Sequence, residues 1–131
     1  MEKRREAAEN MNKMKAQTSK LISELSILKS IYQEDFFLKT APRVFQKSSF
    51  EIFLHPQRII HQNQILVNAK VEIEIPFNYP EENLRIKFIK RRNLTENQTG
   101  YILSLAYQRL SYLQEKGFCK QILFEVVQTM V

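Results

Sequence analysis

The chain has 131 residues, enough for one domain and too few for two of ordinary size. Hydrophobic side chains make up 44% of it, so a substantial core is possible and disorder throughout is excluded. Lys and Arg number 20 against 14 Asp and Glu, a formal net charge of +6, milder than a dedicated nucleic-acid binder concentrates on one surface.

Residues 2–33 read as a helix. Its first part carries most of the six basic and three acidic side chains of residues 1–20. Scattered Met11 and Met14 make no continuous apolar stripe there, which predicts a solvated extension over residues 1–19. The second part places Leu21, Leu25, Leu28 and Tyr32 at helical spacing with Ile27 and Ile31 beside them, a face that needs a partner. Glu34-Asp35 and Phe36-Phe37 close the segment, and residues 40–49, with Pro42 and Ser48-Ser49, read as a loop.

Phe50, Ile52 and Leu54 alternate on a short strand that ends at His55-Pro56, and residues 57–64 read as a polar hairpin connection. The clearest strand is Val67 to Ile75. There Val67, Ala69, Val71, Ile73 and Ile75 alternate strictly with polar neighbours, as in a half-buried antiparallel strand. Pro76-Phe77-Asn78-Tyr79-Pro80 reads as a rigid turn whose aromatic rings pack inward. Leu84, Ile86 and Phe88 then form an inward face, with Arg85 and Lys87 outward.

Thr95 and Gln98 have the spacing of a capping box at the start of a helix bearing Leu103, Ala106, Leu110 and Leu113. Gly117 is its natural stop. A last helix from about Lys120 carries Ile122, Leu123, Val126, Val127 and Met130. The fold class is therefore α+β: an antiparallel β-meander with helices packed on one face, in the order α-β-β-β-(β)-α-α. No apolar run exceeds three residues, which excludes a transmembrane helix, and the charged N-terminus predicts no secretory leader. A lone Cys119 cannot form an internal disulfide and fits a reducing compartment such as the cytoplasm.

Three blocks together resemble the RWD domain, a fold related to the ubiquitin-conjugating enzymes. They are Glu24 to Tyr32 followed by Glu34-Asp35-Phe36, then Val71 to Pro80, then Gly117 to Val127. The resemblance covers residues 20–131. Its turn departs from the family pattern Tyr-Pro-x-x-x-Pro, because Leu84 stands where the second proline belongs. Phe50 to Gln57, Arg92 to Thr95 and Ile122 to Val127 further resemble the RWD branch of the amino-acid-starvation kinases of translation initiation factor two alpha. That branch implies a docking module for a large helical-repeat activator associated with ribosomes. Other RWD domains imply an adaptor of a ubiquitin ligase or of a GTPase-regulating factor. None of these implies a cofactor, a metal or a small-molecule substrate.

The resemblance to conjugating enzymes does not extend to their chemistry. Their catalytic cysteine follows a His-Pro-Asn sequence after the last strand. Here His55-Pro56-Gln57 precedes the main strand, and residues 84–101 hold no cysteine. His55, His61 and Cys119 are too scattered for a convincing metal site. Glu72 and Glu74 share a polar strand face beside Lys70 and read as solvated rather than acid–base groups. The strongest candidate for partner binding is Arg85, Lys87, Lys90, Arg91 and Arg92, five cations with no acid among residues 85–92. The first two lie on the exposed strand face, and the last three are expected in the loop beyond it. An acidic protein surface is the expected partner, RNA phosphate the alternative, and a merely solvated sheet edge the plain reading.

Overall fold

The computed structural model describes residues 2–55, 68–79, 82–116 and 122–131. Helix α1 runs from Glu2 to Tyr32 without a break at residues 19 and 20. Among the described side chains, the first deeply buried one is Leu21, and Leu25 and Leu28 follow one and two turns on. Ile31 stays largely exposed, so the buried stripe is narrower than the apolar residues suggest. Gln33 ends the helix at a left-handed φ of 50°, and a single 3-10 turn, Gln33–Asp35, reverses the chain.

Four strands follow: β1 Phe36–Thr40, β2 Ser48–Leu54, β3 Asn68–Ile75 and β4 Arg85–Arg92. They form one antiparallel sheet in the order β1-β2-β3-β4, leaving β1 and β4 as edges. Strand β1 corrects the sequence reading, which ended the helical segment at Phe36-Phe37 and ran a loop from residue 40. Four of its five residues are exposed, so it shows no alternation to read. The sheet therefore has four strands, the additional one lying ahead of the three read from the sequence.

The chain next forms α2, Glu96–Glu115, and α3, Ile122–Met130. Asn93, at φ 58°, makes the turn into α2, a conformation asparagine tolerates. The capping box is formed in full. Thr95 Oγ1 accepts from Gln98 N at 3.1 Å, and Thr95 N donates to Gln98 Oε1 at 2.9 Å. Thr95→Ala is expected to cost about 1 kcal/mol of unfolding free energy, measured by denaturant titration, with Thr95→Ser nearly silent. Ile102, not Leu103, shares the buried face with Ala106, Leu110 and Leu113; Leu103 is half-buried. The expected stop Gly117 lies outside the described residues.

Helix α3 packs against both α1 and α2, and the three cover one face of the sheet. That inner face presents Phe50, Ile52 and Leu54 of β2, Ala69, Val71, Ile73 and Ile75 of β3, and Ile86 of β4, all buried. The polar alternates Glu51, Lys70, Glu72 and Glu74 take the outer face, as the period-two pattern requires.

Glu24 joins three elements inside this core. Its Oε1 accepts from the Tyr79 hydroxyl at 3.3 Å and from the Leu123 amide at 3.2 Å, at the start of α3. A carboxylate there meets the unpaired N–H groups and the positive end of the helix dipole. Burial nonetheless pushes its pKa up, outweighing the hydrogen bonds that pull it down. Burial, together with Glu24, pushes the Tyr79 hydroxyl far up as well.

The expected inward turn is half right. Tyr79 N donates to Pro76 O at 3.1 Å, and the Tyr79 ring is buried. Phe77 instead is 50% exposed. The turn reverses the chain over residues 77–79, so the two rings cannot both face the core. Pro80 lies outside the described residues. Leu84, standing for the second proline, is buried.

Candidate docking surface

The five-cation cluster lies on one edge strand, but not as expected. Lys90, Arg91 and Arg92 belong to β4 rather than to a loop. The strand continues because of a bulge. Val71 pairs with Phe88, whereas Lys70 pairs with Lys90, so Ile89 is an extra residue. The bulge shifts the alternation by one. Lys90 lies opposite Lys70 and Arg92 opposite Asn68, on the outer face shared with Arg85 and Lys87. Arg91 is turned to the other face, opposite buried Ala69, where it meets Glu96 of α2 at 3.7 Å. Four of the five predicted residues are thus brought together, and Arg91 is separated from them.

The row is not uniformly basic in context. Arg85 lies opposite Glu74 and Lys87 opposite Glu72. Cross-strand carboxylates offset these two cations. Lys90 and Arg92 face a lysine and an asparagine and have no such counterweight. Among the described residues, none of the four outer cations joins an ion pair.

Farther across the sheet the charges are satisfied internally. Lys39 reaches Glu72 at 3.1 Å and Glu51 at 3.6 Å, and Lys70 reaches Glu51 at 2.9 Å. The hydrogen bond from Lys70 is the main cause holding the Glu51 carboxyl below its usual range, and that to Glu72 raises the Lys39 ammonium. Glu72 is therefore tied into a surface charge lattice, while Glu74 lies across from Arg85.

Two apolar side chains flank the uncompensated end. Phe53 of β2 lies opposite Lys70, and Ile89, 40% exposed, stands in the bulge beside Lys90. Lys70 of the middle strand stands between these two apolar side chains, so each borders the basic row separately. Sequence reading missed both. Phe53 was only the polar-phase residue of an apolar strand, and the bulge that exposes Ile89 leaves no mark in composition.

The backbone edge of β4 is guarded. The Ile86 amide donates to the Tyr107 hydroxyl of α2 at 3.0 Å. One main-chain donor of that edge is therefore already taken. Among the described residues no group of three His, Cys, Asp or Glu is placed to hold a metal, and no helix is long and apolar enough to cross a membrane. His61 and Cys119 lie outside the described residues.

The family model of the RWD domain matches residues 19–130. The chain belongs to the RWD family. The antiparallel sheet with helices on one face is the fold expected of it, and RWD domains are protein-interaction modules. The RWD chain is also 29% identical over 110 residues to the E3 ubiquitin-protein ligase RNF25 of Bos taurus. That match takes in 82% of this chain but 23% of the relative, so the RWD chain spans about a quarter of the relative's length.

Proposed function

We propose that this RWD domain is a non-catalytic docking module that holds an acidic protein surface on the outer face of its sheet. The observation that carries the proposal is the bulge at Ile89. It gathers Arg85, Lys87, Lys90 and Arg92 on one open face and leaves Ile89, 40% exposed, next to Lys90. Cations there accelerate encounter with an acidic partner and fix its orientation, while contact with exposed Ile89 slows release.

Two contexts fit such a module in the cytoplasm. Similarity to a ubiquitin-protein ligase supports service as the adaptor domain of a ligase. The stretches 50–57, 92–95 and 122–127 support the starvation-kinase branch, with a large helical-repeat, ribosome-associated activator as partner. RNA is disfavoured, because half the cationic row lies opposite carboxylates that would repel phosphate.

The test is affinity capture from native lysate at two salt concentrations, with RNase in a parallel arm and mass spectrometry as readout. Recovery of an acidic-surfaced protein that survives RNase and weakens with salt is expected. Components of ubiquitin transfer would fix the ligase context, and a large helical-repeat protein the kinase context. Ribosomal material that RNase removes would overturn the protein-docking reading.

A further inference from the structure

The two edges of the sheet are treated differently. Strand β4 has its Ile86 amide covered by Tyr107 and a row of outward cations, devices that discourage strand addition. Strand β1, at the other end, pairs with β2 alone. Its one irregularity is a bulge at Lys39, between the pairs Leu38–Phe50 and Thr40–Ser49. Phe36, Phe37 and Leu38 precede it in regular register.

Beside that open edge lies a groove of about 400 Å³, lined by Ile22, Leu25, Ser26 and Lys29 of α1 and by Phe36, Phe37, Leu38 and Pro42. Ile22, Ser26 and Lys29 fall at i, i+4 and i+7, one stripe of the helix. This stripe and the residues of β1 face one another across the groove. Phe37 is 63% exposed and Ile22 48%, large apolar area left open around the groove.

Charge selects the occupant. Lys29 is the groove's cation and has no ion pair among the described residues. Exposed Arg43 follows Pro42, and the chain carries a net charge of +6. A second copy of this chain would bring like charges together. A segment of alternating apolar and acidic side chains would meet apolar walls and an unpaired ammonium.

We propose that the groove between α1 and β1 binds an extended acidic–apolar peptide segment of a protein partner, added as a fifth strand to the free edge of β1. Main-chain hydrogen bonds to β1 would supply affinity, and alternate side chains under α1 would supply selectivity. This surface is separate from the outer face of β4, and either can fail without the other.

The test selects random short peptides, displayed on phage, against the immobilised domain. The winners are then titrated into isotope-labelled domain and followed by amide NMR. Enrichment of peptides alternating apolar and acidic residues is expected, with shifts centred on Ile22, Lys29, Phe37 and Leu38. Phe37→Asp should weaken binding about tenfold or more, as loss of an exposed aromatic anchor does. Lys29→Glu should do the same, selectively for acidic peptides. Replacing the four outer cations of β4 by Gln should leave the pattern of shifts in place and cost far less affinity than Lys29→Glu. The proposal is overturned if no peptide is enriched, if the winners are basic or show helical spacing, or if they bind a folded Phe37→Asp domain as well as wild type. Dimerisation lost with Phe37→Asp would overturn it too, because a second copy would then fill the groove.

Discussion

Phe50→Ala is expected to lower the unfolding free energy by about 4 kcal/mol, within the range for removing a fully buried phenylalanine ring. Phe50 is wholly inaccessible and sits mid-sheet on β2, opposite Ile73 of β3 and Leu38 of β1. Its ring centroid lies 5.2 Å from that of Phe36 in a tilted arrangement. Removal thus leaves a cavity and takes away the surface on which edge strand β1 rests. A domain of this size is stabilised by roughly 5–15 kcal/mol in total, so the loss is a large share. Denaturant titration followed by circular dichroism measures it, with Phe50→Leu as a control expected to cost about 1.5 kcal/mol or less. Hydrogen exchange in β1 should accelerate more than in β3. A change below about 1 kcal/mol for Phe50→Ala would mean that the sheet's inner face is not packed as described.

Glu24→Ala is the second large effect. The substitution leaves two buried donors, the Tyr79 hydroxyl and the Leu123 amide, without their acceptor. Each stranded donor costs about 1–3 kcal/mol, while relief of the carboxylate's own desolvation offsets part, leaving a net loss of about 2 kcal/mol. Glu24→Gln keeps an acceptor without the charge and should stay within about 1 kcal/mol of wild type at neutral pH. The pH dependence separates the two effects. Burial raises the folded-state pKa of Glu24 above its ordinary 4.5, so the folded protein holds that proton more tightly than the unfolded chain. Its contribution is fully present below 4.5 and is lost as pH rises through the raised value. Relative to Glu24→Gln, wild type should therefore lose stability as pH climbs through that window. The opposite slope would mean that the carboxylate is better solvated than its place in the core implies.

Legibility in the sequence followed burial. Strands β2 and β3 and helix α3 were readable because each buries one face completely, and a strict period of two or a dense apolar helix face records it. The capping box of α2 was readable because its chemistry is local. Strand β1 was not, since its place in the sheet comes from pairing with β2 while its side chains stay in solvent. The bulge at Ile89 was equally silent, and it decides which cations share a face. Sequence could name five candidate cations, but only the register removes Arg91 and sets Ile89 beside Lys90. Nothing local in the sequence marks Glu24 as a core residue. Its role depends on Tyr79 and Leu123, 55 and 99 residues away along the chain.

If the outer face of β4 holds the partner, as proposed, three proteins compared in one capture experiment will differ in recovery. Wild type, the variant with Arg85, Lys87, Lys90 and Arg92 all changed to Gln, and Arg91→Gln are presented to the same RNase-treated lysate. Gln is chosen over Glu because carboxylates at positions 85 and 87 would oppose Glu74 and Glu72 and disturb the sheet itself. The account predicts that the fourfold variant, folded by circular dichroism, loses the partner by roughly tenfold at low salt. Arg91→Gln, whose side chain lies on the other face, should retain it. Equal recovery by wild type and the folded fourfold variant would contradict the account.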